Sequence, residues 1–468
     1  MLGILKDIDS IMYYPILLVI LGFAALYFTM RTRFVQVRHF KESLRIIFEK
    51  PSDDRAVSSF QALMVSTASR VGTGNIVGVS TAICLGGPGA VFWMWLLAFF
   101  GASSAFMEST LAQIYKKKNK ETGEYFGGPA YYIEQALHSK FFAGAFVVFL
   151  ILTYGVGFNM LCSYNLQSTF IEYSFYNVKT TPYIIGAILA LLVAVVLFGG
   201  GKRIVHITEI VVPVMGILYV LASLIVLIAH ASIIPAVVKM VIHDAFNFKA
   251  IFSGMAGSCM IYGIKRGLYS NEAGVGSAPN ASASADVTHP VKQGLVQMLS
   301  VYIDTLLLCS ATAIMCLSSG ILPSVKLSGA PYVQNALATV FGEFGPIFIT
   351  VAMILFAFTT LIGNLYYVDN AVAYLNKKKV PDKRTMKFIH VICVFVIFAG
   401  AIIPMDAAWA LADISMGLMT LINLPACFLL SSTVINALKD YEEQRQYREH
   451  PIFKAQDMGL EGLDCWNE

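Results

Sequence analysis

Apolar residues along this chain come in unbroken runs, near residues 11 to 30, 57 to 84, 88 to 115, 141 to 170, 181 to 199, 206 to 229, 250 to 266, 291 to 319, 344 to 374, 385 to 404 and 408 to 436. Each is close to the ~20 residues with which a helix crosses a hydrocarbon core ~30 Å thick. Barrel strands would instead alternate apolar and polar positions over about ten residues. The pattern predicts an all-α polytopic membrane protein with eleven transmembrane helices.

Two of the runs carry breaks. The second holds Arg70-Val71-Gly72-Thr73-Gly74-Asn75-Ile76-Val77-Gly78 at its midpoint, and each glycine weakens a helix by about 1 kcal/mol relative to alanine. The seventh holds Gly254, Gly257 and Gly263 around Ser258-Cys259-Met260-Ile261-Tyr262, then continues through Arg266-Gly267-Leu268-Tyr269-Ser270-Asn271 into Glu272-Ala273-Gly274-Val275-Gly276-Ser277. With the first span set aside, the interrupted spans open the first five and the second five of the ten that remain. Broken helices at matching places in two oppositely threaded halves point to an inverted-repeat transporter. Glycines that merely let helices approach, as in the GxxxG pair Gly74 and Gly78, are the plainer explanation of either break alone. The matched placement favours the transporter.

The chain is 57% hydrophobic and 13% charged, about half the ~25% charge of a soluble domain. That excludes a soluble enzyme, a disordered chain, a coiled coil and a secreted disulfide scaffold. A net charge of +4 gives no reason to expect a nucleic-acid partner. Placement of the cations is more telling: 27 Lys and Arg fall after odd-numbered spans and five on the opposite side, with Arg70 left over. The positive-inside bias puts the N-terminus outside and the C-terminus in the cytoplasm of a cell-membrane protein. The first span, without a basic region or a small-residue cleavage site, reads as an uncleaved helix. The eight cysteines form no CxxC and no external pair, so no disulfide framework, resident metal or cofactor is expected.

A half-helix that begins inside the bilayer offers N–H donors and about half a positive charge to a carboxylate. One that ends there offers carbonyls to Na+ or an ammonium group. A broken span can thus hold both ends of a small zwitterion, with a cation beside it. Thr359, Thr360 and Asn364 of the ninth span, within about one and a half turns of each other, are candidates to complete a sodium shell. A lone Ser or Thr in such a helix more often bonds back to its own turn. Arg70, at the bilayer centre, calls for a partner or an aqueous cavity. The alternatives are an ion pair with Asp304, or with Glu108, a fork on a substrate carboxylate, or occupation of a second cation's place. Glu209, Asp369 and Asp413 near span ends read as solvated caps or as gate residues.

The run Gly86-Gly87-Pro88-Gly89-Ala90-Val91-Phe92-Trp93-Met94-Trp95 closely resembles the signature of the alanine/glycine:cation symporter family, also called sodium:alanine symporters. Similar matches cover nearly the whole chain, among them Val71-Gly72-Thr73-Gly74-Asn75-Ile76, Glu108-Ser109-Thr110-Leu111-Ala112, Gly127-Gly128-Pro129, Ile303-Asp304-Thr305 and Trp409-Ala410-Leu411-Ala412-Asp413. The resemblance implies a LeuT-like five-plus-five inverted repeat that co-transports alanine or glycine with Na+, or in some members H+. The organisation that follows is an N-terminal helix and basic cytoplasmic linker over 1–56, repeats over 57–249 and 250–436, and a cytoplasmic tail over 437–468. Carried over residue by residue, Gly72, Thr73, Gly74 and Asn75 meet the amino acid. Ser258, Met260 and Ile261 of the seventh span, with Asn364, close over it. By the same analogy sodium lies between Ala68 and Val71 on one side and Thr359 and Thr360 on the other.

Three departures from the family pattern bear on selectivity and cation number. Cys162, Ser163 and Tyr164 stand where the family usually shows Gln, a small residue and Asn; Asp369 stands for Glu; and Arg70 stands for a small or polar residue. An intramembrane enzyme would need a catalytic constellation, and no HExxH, GxSxG or membrane aspartate dyad occurs. A channel would need a continuous polar pore. Saturable alanine uptake separates a carrier from a channel.

Overall fold

The computed structural model describes residues 2–51, 56–119, 123–247, 258–376 and 383–466. Gly254 and Gly257, and the cations Arg55, Lys120, Lys249, Lys377, Lys378 and Lys379, lie outside the described residues. The chain is mostly helical, with a small hairpin pairing Lys117–Lys118 with Tyr125–Phe126. Among the described residues seven helices are long and apolar enough to cross a membrane: Gly3–Arg31, Ala90–Ile114, Lys140–Ser168, Gly201–Ala229, Pro290–Ser318, Phe344–Leu375 and Asp406–Leu429. They are the first, third, fourth, sixth, eighth, ninth and eleventh of the expected spans. The fifth is Thr181–Leu197 and the tenth Lys383–Gly400. Exposed Ile184, Ile188, Leu191, Ile217 and Leu221 on the fifth and sixth give the bundle an apolar outer face.

The second span is two helices, Ser59–Arg70 and Gly74–Gly86. The first opens on a capping box, in which Ser58 Oγ accepts from the Gln61 amide and the Gln61 side chain accepts from the Ser58 amide. It stops at Val71, whose ψ swings to 87°.

The seventh span breaks later than expected. One helix, Cys259–Asn271, runs straight through Gly263 and Gly267, which serve packing: a Cβ on Gly263 would stand 2.5 Å from the Ala90 carbonyl of the third span. The helix ends at Glu272, a left-handed residue at φ 53°, followed by Gly274 and Gly276 at φ 86° and 89°, where glycine carries no steric penalty. A short helix, Pro279–Ser282, follows. The break expected around Ser258–Tyr262 is therefore corrected to Glu272–Ser277. Ser258 instead caps the helix, its Oγ accepting from the Ile261 amide.

Lys265 and Arg266 also move. They lie within this helix, paired with Asp9 of the first span and Asp413 of the eleventh, and not in a cytoplasmic connection. Taking both out of the count leaves 25 cations against five, so the bias keeps its sign.

Candidate functional site

The two breaks meet at mid-bundle. Asn75 Oδ1 accepts from the Gly72 amide at 2.8 Å, while its Nδ2 donates to Asp304 Oδ1 at 2.7 Å and to Ser270 Oγ at 3.2 Å. Ser270 and Thr305 hydroxyls donate to the other Asp304 oxygen at 2.6 and 2.9 Å. Neutral donors from the second, seventh and eighth spans thus converge on one buried carboxylate. Asn165 Nδ2 donates to Thr73 Oγ1 at 3.1 Å. The Tyr269 ring lies against Gly74, where a Cβ would come within 2.6 Å of it. Phe158 and Trp409 pack on Tyr269 with centroids 4.7 and 4.9 Å away. One turn outward, Arg266 forks Asp413 at 3.0 and 3.4 Å with its guanidinium 3.6 Å from the Trp409 ring centre.

The end of the helix Ser59–Arg70 leaves backbone oxygens exposed to the break. The Gly72 amide is used by Asn75, and the Asn75 amide bonds Gly72 O at 3.2 Å. Among the described residues the carbonyls of Ala68, Ser69, Arg70 and Val71 receive no backbone hydrogen bond. Inside a bilayer such groups cost several kcal/mol each unless a ligand or cavity meets them. The ninth span presses directly on them: a Cβ on Gly363 would lie 2.7 Å from the Ser69 nitrogen, and one on Gly72 would overlap the Thr360 hydroxyl. Thr360 Oγ1 is buried without a partner, whereas Thr359 Oγ1 bonds back to Leu355 O at 2.9 Å. Asn364 Oδ1 accepts from Ser69 Oγ at 2.6 Å, and its Nδ2 donates to Asn159 Oδ1 at 2.9 Å. No group of three His, Cys, Asp or Glu side chains suited to a metal occurs among the described residues. The donors gathered here are hard, mostly neutral oxygens.

Arg70 makes no ion pair with Asp304 or Glu108, which corrects that expectation. Its Nη1 contacts Ser300 Oγ and lies 3.4 Å from Gln297 O, while Nε and Nη2 have no partner although the residue is 2% exposed. The carboxylates around it are engaged elsewhere. Glu108 accepts from Asn423 Nδ2 at 2.8 Å and the Gly274 amide at 3.4 Å. Glu272 accepts from Ser277 Oγ at 2.6 Å and Ser69 Oγ at 3.3 Å, joining the two breaks directly. Glu272 carried no expected role; the available signal was an acidic residue flanked by glycines inside a membrane span. Ser258, Met260 and Ile261 sit at the N-terminal end of their helix, ~18 Å along its axis from Asn271, where Cys259 and Tyr262 lie against Gly86. The structure does not bring them to Thr73 or Asn75; Tyr269 and Ser270 occupy that place.

A helical membrane protein whose two broken helices meet at mid-bundle is a secondary transporter of the LeuT-like class. The crystal structure of MhsT in complex with L-phenylalanine shares this fold, with a TM-score of 0.55 and 15% identity over 82% of this chain and 98% of that chain. Residues 1–455 match the sodium:alanine symporter family, and the chain belongs to that family. It is 42% identical to the YrbD protein of Bacillus subtilis over 97% of this chain and 95% of that one. It is 39% identical to the amino-acid carrier protein AlsT of Bacillus subtilis, over 99% and 97% of the two chains. With the sodium/alanine symporter AgcS of Methanococcus maripaludis it shares 34% identity over 95% and 98%. The family comprises membrane symporters rather than enzymes.

Proposed function

We propose that the chain imports a small neutral amino acid, alanine or glycine, together with Na+ by alternating access, with its N-terminus outside and its C-terminus in the cytoplasm. The carrying observation is the set of four unpaired carbonyls at Ala68–Val71 facing the unpartnered Thr360 hydroxyl. Na+ is held there by the Ala68 and Val71 carbonyls and by Thr360, with Thr359 in a lesser part. The amino acid lies along Gly72, Thr73, Gly74 and Asn75, its carboxylate on the free amides at the start of the helix Gly74–Gly86. Tyr269, pressed on Gly74, leaves room only for a small side chain. The repeats 57–249 and 250–436 rock about this site. The name of AgcS, a sodium/alanine symporter, agrees with this reading.

One Na+ carries enough free energy. At 100 mV a charge contributes ~2.3 kcal/mol and a tenfold gradient ~1.4 kcal/mol, together an accumulation of several hundredfold. A second coupled cation, H+, is favoured by the charge count around Arg70, one guanidinium among the buried carboxylates Glu108, Glu272 and Asp304. The test is labelled alanine uptake into proteoliposomes, competed by glycine, alanine, serine, glutamine and leucine, with Na+ or choline outside. Competition by alanine and glycine, and loss in choline, are expected. Leucine competing as well as alanine refutes the assignment of a small substrate.

A further inference from the structure

We propose that the C-terminal tail is a latch on the cytoplasmic release gate, which must lift before substrate leaves inward; this rests on the alternating-access reading above. The inner ends of the two broken spans are stitched together, the Asp286 amide donating to Val57 O at 2.9 Å in a bridge between Val57 and Ala285. The Ala285 carbonyl is gripped in turn by Lys116 Nζ and Gln113 Nε2, both at 3.0 Å. This strip has to part for a path to open between the spans.

The tail fastens it from below. The Phe453 amide donates to Thr288 O at 2.9 Å and the Thr288 hydroxyl to Pro451 O at 2.8 Å. The Trp466 indole donates to Gln113 O at 3.0 Å, and its ring covers the Lys116 ammonium at 4.8 Å, with Tyr125 at 4.1 Å from the same ammonium. Asp464 pairs with Lys117 at 2.7 Å. The Ala455 amide closes the tail on itself through Trp466 O at 3.0 Å. Phe453 and Trp466 are 2% and 7% exposed, so the tail is seated as a folded unit and not draped over the surface. Between it and the strip lies a cavity of about 800 Å³, lined by Ser59, Asp286, Thr288, Phe453 and Trp466 among others. Burial pulls the Lys116 ammonium down to about 8, in keeping with a covered site under the tail. The same lysine holds the gate strip and carries the lid, so lifting the tail loosens the strip.

The test compares wild type with the doubly substituted chain F453A/W466A, reconstituted at full length. Amide hydrogen exchange over residues 283–289 is expected to accelerate at least tenfold in the variant, and alanine efflux to rise relative to influx. Unchanged exchange over that segment overturns the latch. Should the variant fail to fold, wild type alone decides: on switching between Na+ with alanine and a Na+-free medium, residues 451–466 and 283–289 are expected to gain or lose protection together. A strip that opens while the tail stays protected overturns the proposal. A chain that takes up no alanine fails the transport reading instead.

Discussion

Replacing Asn75 with alanine tests the junction of the two breaks. The amide makes two short bonds, accepting from Gly72 N at 2.8 Å and donating to Asp304 Oδ1 at 2.7 Å, in a fully buried position. An unpaired buried donor costs roughly 1–3 kcal/mol and a bond to a charged group contributes about 1.5–3 kcal/mol. The break therefore loses roughly 2.5–6 kcal/mol of local order. If water in the vacated space recovers half, about 1.3–3 kcal/mol remains, or roughly tenfold to over a hundredfold in the population of the binding-competent form. The assay is the half-saturation of uptake for Na+ and for alanine in proteoliposomes, with the thermal midpoint in detergent as a control for folding. Both constants should rise at least tenfold in a folded N75A. A folded variant with both constants within about twofold of wild type would refute the argument that Asn75 shapes the site.

The two neighbouring threonines should separate. T360A removes the unpartnered hydroxyl and is expected to weaken apparent Na+ affinity at least tenfold, whereas T359A removes one already bonded to its own turn and should change it less than threefold; equal effects count against the sodium assignment. G72A drives a methyl into the Thr360 hydroxyl and should abolish Na+-dependent uptake at normal expression, so retention of uptake would count against close contact there. Breaking the buried Arg266–Asp413 pair with D413N strands a charge and costs roughly 3–5 kcal/mol, read as a lowered thermal midpoint that R266M/D413M largely restores; no change in D413N contradicts the burial. Where the helix Phe40–Ile47 meets the helix Ser431–Arg445, burial raises Glu42, but hydrogen bonds from Arg45, Tyr441 and Arg445 outweigh it and hold the carboxyl at about 2 against an ordinary 4.5. Its stabilisation is complete above pH 4.5 and is lost as pH falls towards 2. The thermal midpoint of wild type should fall more steeply across that window than that of E42Q, and parallel slopes would contradict it.

Span number, the helical class and the break at Gly72–Asn75 were legible because they are one-dimensional signals, set by apolar runs of fixed length and by clustered glycines. The second break was half legible. Gly263 and Gly267 look like Gly274 and Gly276 in the sequence, but the former meet the third span in a helix and the latter take positive φ, a difference that only packing decides. Pairing of charges was least legible. Arg266 looks like a loop cation and Asp413 like a solvated cap until the seventh and eleventh spans face each other. Arg70 called for a partner or a cavity, and an ion pair was one of its alternatives; the three carboxylates nearby instead accept from amides and hydroxyls. Thr359 and Thr360 are adjacent in sequence, and their rotation about the helix alone determines which oxygen is free.

On the proposed mechanism, backbone left unpaired in the bilayer binds Na+ and couples it to amino-acid movement. The direct measurement is concentrative uptake of labelled alanine by the purified chain in sealed proteoliposomes, with an imposed inward Na+ gradient as the sole driving force. Transient accumulation above the external concentration is expected, collapsing when the Na+ gradient is dissipated. Uptake that proceeds unchanged after both the Na+ and the H+ gradients are removed would contradict it.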